Sequence, residues 1–156
     1  MNNQALERLL LRPAAPTDAD ALIAVIFDSR RTAMPWLTEV HTHDENHWWV
    51  GQMLIPAGGV TVAELGGEVI GMTALADGWL EQLYVATRFQ RRGVGRALME
   101  HAIEQSPNGL SLFCFARNEP ARLFYEAHGF VIVDESDGSG NEEQEPDVTY
   151  RWSPAR

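Results

Sequence analysis

The sequence predicts a single mixed α/β domain. Three observations carry that expectation. The chain has 156 residues with 45% apolar content, enough to fold around a real core and too apolar for a disordered segment. Short β-type apolar runs alternate with longer capped helical stretches, in the order strand, two helices, three strands, helix, strand, helix, two strands. No linker or internal repeat divides the chain, so residues 1–156 read as one unit.

The elements follow in order. Glu7 to Arg12 reads as a strand closed by Pro13. Thr17-Asp18-Ala19-Asp20 is a helix-start signal ahead of the apolar run Ala21 to Phe27. Arg30 to Thr42, with Pro35 and Trp36, breaks the pattern. Asp44 is placed to cap a second helix reaching Leu54, and Pro56 to Gly59 turns the chain. Val60 to Leu65 and Glu68 to Leu75 form a hairpin across Gly66-Gly67. Trp79 to Val85 is the next strand, followed by a glycine turn and a helix from Val94 to Gln105. Leu110 to Phe115 is a strand. Asn118-Glu119-Pro120 opens a helix that runs to His128 and stops at Gly129. Phe130 to Val133 and Val148 to Trp152 complete the sheet. Between them, Asp134 to Asp147 carries seven acids and reads as a solvated loop, one that would rim a binding site or touch a second subunit.

Composition narrows the function. No apolar run reaches the ~18 residues of a membrane span, and Met1 to Arg12 lacks the pattern of a signal peptide, so a cytoplasmic protein with no membrane partner is expected. One cysteine, Cys114, excludes an intrachain disulfide, and its apolar strand marks it as a core thiol. The net charge of −10 argues against a nucleic-acid partner. There is no lysine; all 12 basic residues are arginine. Arg88, Arg91, Arg92 and Arg96 nevertheless cluster in one turn.

That turn, Gln90-Arg91-Arg92-Gly93-Val94-Gly95-Arg96, is the most informative stretch. A strand that ends in an Arg- and Gly-rich turn and re-enters as a helix offers bare N–H groups at the positive end of a helix dipole, an anion site suited to phosphate. Gly93 and Gly95 let the backbone approach a pyrophosphate with no Cβ in the way. A dinucleotide fold would place a third glycine where Leu98 stands, and a P-loop requires a lysine. Both are set aside.

The turn follows Leu83-Tyr84-Val85, and one strand later comes Asn118-Glu119-Pro120-Ala121-Arg122-Leu123-Phe124-Tyr125-Glu126, with Gly129-Phe130 beyond. With these two motifs in this order, Trp79 to Phe130 resembles the GNAT superfamily of acyl-CoA-dependent N-acetyltransferases. The resemblance implies the acyl-CoA N-acyltransferase fold: a mixed, mostly antiparallel sheet of six to seven strands with a central splay and about four helices. It implies acetyl-CoA as co-substrate and a small-molecule or peptide amine as acceptor, and many relatives are homodimers. Backbone groups around Leu83, Tyr84 and Val85 would pair with the pantetheine arm like an added strand. Gln90 and the amides from Arg91 to Arg96 (Arg91, Arg92, Gly93, Val94, Gly95, Arg96) would hold the pyrophosphate. Asn118 would bond the pantetheine region, and Tyr125 would point its hydroxyl at the sulfur.

Chemistry fits those roles. Amine attack on a thioester builds an oxyanion, which the Val85 N–H could stabilise, and expels a thiolate. A tyrosine, with ordinary pKa ~10, can protonate that thiolate, so Tyr125 is the acid candidate. The incoming ammonium must lose a proton. Glu81 is the base candidate because it lies two residues from Leu83, on the face that would line the cofactor. The segment Trp79 to Val85 also resembles the strand of the polyamine (spermidine- and spermine-type) branch, where an acid stands at this place. An edge-facing charge, or one that only orients substrate, is the alternative for Glu81.

The run His41 to His47 looks like a metal cluster, with His43 and His47 four apart. The residue after His43 is Asp, and the histidines straddle a helix start, so no metal is assigned. A place in the acceptor-pocket wall is the functional alternative. Met34, Trp36, Trp48 and Trp49 read as core, the functional alternative being that one or two line the mouth and cradle an apolar or cationic acceptor. Two functional classes remain: an N-acetyltransferase, or an acyl-CoA-binding regulatory module without acceptor turnover. The presence of Tyr125 and Glu81 favours the enzyme.

Overall fold

The computed structural model describes residues 8–155; Glu7, expected in the first strand, lies outside them. Seven strands form one sheet in the order β1-β2-β3-β4-β5-β7-β6. They are β1 (Leu10–Pro13), β2 (Val60–Leu65), β3 (Glu68–Ala76), β4 (Trp79–Val85), β5 (Leu110–Phe115), β6 (Val131–Ser136) and β7 (Asp147–Trp152). The helices are α1 (Ala19–Ala33), α2 (His43–Trp49), α3 (Val94–Glu104) and α4 (Glu119–Ala127). A π-helical stretch, Val50–Leu54, and one more helical turn, Ile55–Ala57, extend α2.

Most pairings are antiparallel, and β4 with β5 is the parallel exception. That parallel contact is a single register pair, Trp79 with Ser111, after which the strands diverge. The sheet is therefore split along its middle. Apolar residues of α1, together with Val50 and Leu54, pack on Val60, Val62, Met72 and Ala74 on one face. On the other face, Met99 and Ala102 of α3 pack with Leu110, Leu112, Phe130 and Tyr150. Val94 and Leu98 of α3 meet Ala63, Ile70 and Val85 in a third cluster.

Several local expectations are corrected. Helix α1 runs past Phe27 to Ala33, because Ser29 is buried against β4 and continues the packed face. Thr42, not Asp44, caps α2: its hydroxyl accepts from the Glu45 N–H at 3.1 Å while the Glu45 carboxylate accepts from the Thr42 N–H at 3.0 Å, a reciprocal capping box. His43 and His47 consequently share one helix face, ring centroids 4.3 Å apart. No group of three His, Cys, Asp or Glu among the described residues could hold a metal. Trp48 is exposed rather than core. Trp36 lies against Phe115 and under the Arg117 guanidinium, 4.1 Å from its centroid.

The acidic segment is solvent-exposed over most of its length, as expected, but it is more ordered than a solvated loop. Strand β6 continues to Ser136, and the tip between β6 and β7 is folded on itself. The Asn141 amide donates to Glu145 O at 2.7 Å and its oxygen accepts from the Glu145 N–H at 3.2 Å. Three ionic contacts pin the tip to the rest of the molecule: Arg30–Glu143 at 3.1 Å, Arg117–Glu145 at 2.6 Å and His41–Glu142 at 2.8 Å. Hydrogen bonds to Glu142 and then Glu45 raise the His41 pKa.

Candidate active site

A cleft of about 1200 Å3 opens where β4 and β5 part. Of the residues expected to act, Glu81, Leu83, Tyr84, Val85, Gln90, Arg91, Gly93, Gly95, Arg96, Asn118 and Tyr125 all line it. Arg92 does not; its guanidinium lies over the Phe89 ring, 5.9 Å from the centroid. The Val94 side chain is 1% exposed and packs in the core, so only its backbone is available to a ligand.

The edge of β4 that faces the cleft follows from the ladder. The Ala86 N–H donates to Ile70 O at 2.8 Å, and Tyr84 stands opposite Met72. Alternation then turns the N–H and C=O groups of Leu83 and Val85 away from β3 and toward the split. One of these four groups is not free. The Val85 carbonyl accepts from the buried Ser29 hydroxyl at 2.8 Å and from the Gln90 amide at 3.0 Å. Gln90 thus braces the turn with its side chain. The Leu83 backbone pair and the Val85 N–H remain for a ligand strand.

The same ladder corrects the argument for Glu81. Gln82 stands opposite Ala74, and Leu80 opposite Leu75, so Glu81 is the extra residue of a β-bulge. A bulge breaks the two-residue alternation. Leu80, rather than Glu81, joins Leu83 on the face that packs toward α3 and α4. Glu81 still lines the cleft and is exposed.

At the other end of β4 the chain reverses through Arg91, φ +62°, and Gly93, φ +90°. Gly93 caps α3 in the left-handed conformation, where a Cβ would be strained. The first intrahelical acceptor is Gly93 O, bonded by the Ala97 N–H at 3.0 Å. The N–H groups of Val94, Gly95 and Arg96 therefore precede the ladder and face outward. A Cβ on Gly95 would lie 3.6 Å from the Phe124 ring and 3.7 Å from Val85, both cleft residues. The bare backbone there is space in the cleft, which fits a diphosphate held on main-chain donors.

Helix α4 carries two more groups. Asn118 caps it, its oxygen accepting from the Ala121 N–H at 3.4 Å, which leaves the amide NH2 for a ligand. Two turns on, Tyr125 packs with Phe130 and Tyr150, and its hydroxyl makes no hydrogen bond among the described residues. Burial, then the neighbouring Cys114 and Tyr84, push its pKa up, so the phenol is held neutral. Cys114 is 6% exposed, and burial pushes its thiol up to about 11. It is an inert core thiol, as expected, though one edge of it touches the cleft.

One wall was anticipated only in part: the acidic segment as a rim of the site, Arg30 not at all. Arg30 of α1, Met34 just past its end, and Gly140, Asn141 and Glu143 of the β6–β7 tip line the cleft. The run of acids was a visible signal for the tip. Nothing local in the sequence marked Arg30.

This split sheet, with donors on one lip and a tyrosine across from them, is the architecture of an acyl-CoA N-acyltransferase. Residues 23–130 match the model of the acetyltransferase (GNAT) family, and the chain belongs to that family. GNAT acetyltransferases are enzymes that use acetyl-CoA as co-substrate. The match is to the family as a whole and does not single out the polyamine branch. The chain is 39% identical over 74 residues to the peptidyl-lysine N-acetyltransferase YiaC of Escherichia coli, covering 47% of this chain and 50% of that one. It therefore spans about half the length of that relative. Among solved structures, apo YjaB of Escherichia coli superposes with a TM-score of 0.78 at 22% identity, over 94% of this chain and 99% of that one. The PaiA N-acetyltransferase of Thermoplasma acidophilum, in complex with coenzyme A, gives a TM-score of 0.72 at 17% identity, over 94% and 99%. Both show the shared fold. No helix among the described residues is long and apolar enough to cross a membrane.

Proposed function

We propose that this chain moves the acetyl group of acetyl-CoA to a primary amine by direct attack within a ternary complex. Acetyl-CoA supplies the activated acetyl thioester. The chain supplies grip, orientation and proton handling. The outward N–H groups at the start of α3, with Arg91 and Arg96 beside them, hold the diphosphate. The Leu83 backbone and Asn118 hold the pantetheine arm, and the Val85 N–H points at the acyl oxygen. Tyr125 keeps its proton until a thiolate departs. Glu81, exposed in the cleft, takes the proton of the incoming ammonium, directly or through one water. The acceptor is a small amine or a peptide amine. The name of the Escherichia coli relative makes a lysine side chain the first peptide acceptor to try.

The observation that carries this reading is the convergence in one cleft of the unpaired β4 edge, the bare start of α3 and the unpartnered Tyr125 hydroxyl. An amine-panel screen with acetyl-CoA, read by mass and by free-thiol release, tests it. The expected result is an acetylated amine with stoichiometric CoA. Thermal protection by acetyl-CoA with no thiol released for any small amine or lysine peptide would favour the regulatory module instead. In Glu81→Gln, turnover should fall most at low pH; an unchanged pH–rate profile removes Glu81 as the base.

A further inference from the structure

The two faces of β4 give the cleft two ends. Leu83 and Val85 pack toward α3 and α4, whereas Tyr84 packs with the α1 cluster. The α3 end carries Arg91 and Arg96. The opposite end is walled by α1, the β6–β7 tip and Tyr84, and its charge is reversed. Glu143 and Asp147 of the tip and its flank, with Asp134 and Glu81, line the same cleft, and Arg30 is the one base in that lining outside the α3 turn.

Glu143 is the acid best placed to act on a ligand. Its side chain is only 17% exposed, and Oε1 accepts from the Arg30 guanidinium at 3.1 Å. Its second oxygen accepts no hydrogen bond among the described residues, and neither does the Tyr84 hydroxyl. Arg30, Glu143 and Tyr84 line the same cleft. Arg30 is itself incompletely satisfied, with a buried Nε that has no partner among the described residues. Asp147 accepts from the neutral Asn141 amide at 3.2 Å. A half-neutralised carboxylate with a free oxygen, in a cleft that also presents a free hydroxyl, is a receptor for a hydrogen-bonding cation.

We propose that Glu143 determines acceptor specificity by binding a second cationic group of the acceptor, in competition with Arg30. The inference rests on the acetyl-transfer reading and adds the class of acceptor: a primary amine with another positive charge several bonds from the reacting nitrogen. A free diamine and a basic peptide share that chemistry.

The full chain is assayed with acetyl-CoA on two matched pairs: 1,5-diaminopentane against n-pentylamine, and a capped Lys-Arg peptide against Lys-Ala. The pair with the larger preference names the source. Wild type should favour the dication about 10-fold or more in kcat/KM. Glu143→Gln should reduce that preference to about 2-fold or less through KM, with kcat and the calorimetric affinity for CoA unchanged, and Glu143→Asp should restore part of it. Arg30→Gln should keep or raise the preference, since the tip stays tied by Arg117–Glu145 and His41–Glu142. If Arg30→Gln lowers the preference as Glu143→Gln does, Glu143 is only an anchor of the tip and the inference falls. It falls equally if Glu143→Gln keeps the wild-type preference or if wild type has none. Wild type that acetylates none of the four amines instead refutes the acetyl-transfer reading, and the inference with it.

Discussion

Gly95→Ala separates folding from ligand binding in one substitution. Gly95 lies in the first turn of α3, and a Cβ built there meets the Phe124 ring at 3.6 Å and Val85 at 3.7 Å, ordinary contacts that require no movement. Alanine in a helix is favoured over glycine by about 1 kcal/mol, so the variant should be more stable. For a chain of this size that is about 2–4 °C in Tm. The same methyl projects into the cleft beside the donors that would face the diphosphate. Losing one charge-assisted hydrogen bond costs about 1.5–3 kcal/mol, a roughly 10- to 100-fold weaker Kd for CoA. Differential scanning fluorimetry and titration calorimetry on one preparation read both effects. A variant that melts higher and binds CoA as tightly as wild type would refute the placement of the diphosphate at the start of α3.

Three other substitutions test the remaining parts. Tyr125→Phe removes a hydroxyl with no protein partner among the described residues, so stability should change by no more than about 0.5 kcal/mol. The kcat should fall about 100-fold while KM for acetyl-CoA holds; an unaltered kcat across the pH range removes the proposed acid. Gly71→Ala would put a Cβ 3.0 Å from Leu98 Cδ1 and 3.2 Å from the Tyr84 carbonyl, between β3 and α3. Overpacking there should cost about 2 kcal/mol and lower Tm by about 4–8 °C, and an unshifted Tm would show that α3 can give way. Asp18 is held below its ordinary 3.8 first by its bond to Arg12, at 2.8 Å, and also by the Ala15 N–H at 2.7 Å. A depressed carboxyl stabilises above its unfolded value and loses that stabilisation as pH falls through the folded one. Asp18→Asn should therefore be about 2 kcal/mol less stable at pH 7, with the gap constant down to about pH 5 and closing below pH 4. A gap that persists in acid would mean packing, not charge, sets it.

The fold was legible where local chemistry decides structure. Strands β4 and β5 were read to the residue, because each is an apolar run ended by a turn signal. The Asn118-x-Pro120 start of α4 was equally plain, since the cap and the missing N–H act within one turn. What failed was long-range. Ser29 extends α1 because the Val85 carbonyl, 56 positions away, needs a donor. The acidic tip is ordered because Arg30, Arg117 and His41 come from elsewhere to meet it. A charge run carries no mark of its partners, so it reads as solvated until the fold supplies them. The fit of Gly71 against Leu98 is likewise a property of two packed elements.

The bulge at Glu81 links the split sheet to the chemistry. It falls two residues after Trp79, where the single β4–β5 pair ends. An extra residue increases local twist and bends its strand. At that position the bend carries β4 away from β5 as soon as their one contact is made. The opening of the cleft and the broken alternation at Glu81 are then one event. Beyond the bulge, Leu83 and Val85 keep the apolar face toward α3 and turn their spare backbone groups into the gap. Before it, Leu80 takes the inward place that strict alternation would have given a glutamate. A strand without the insertion would have to bury the Glu81 carboxylate among Met99, Ala102 and Leu112, at a cost of several kcal/mol. The sheet can hold an acid at this position because it is broken there.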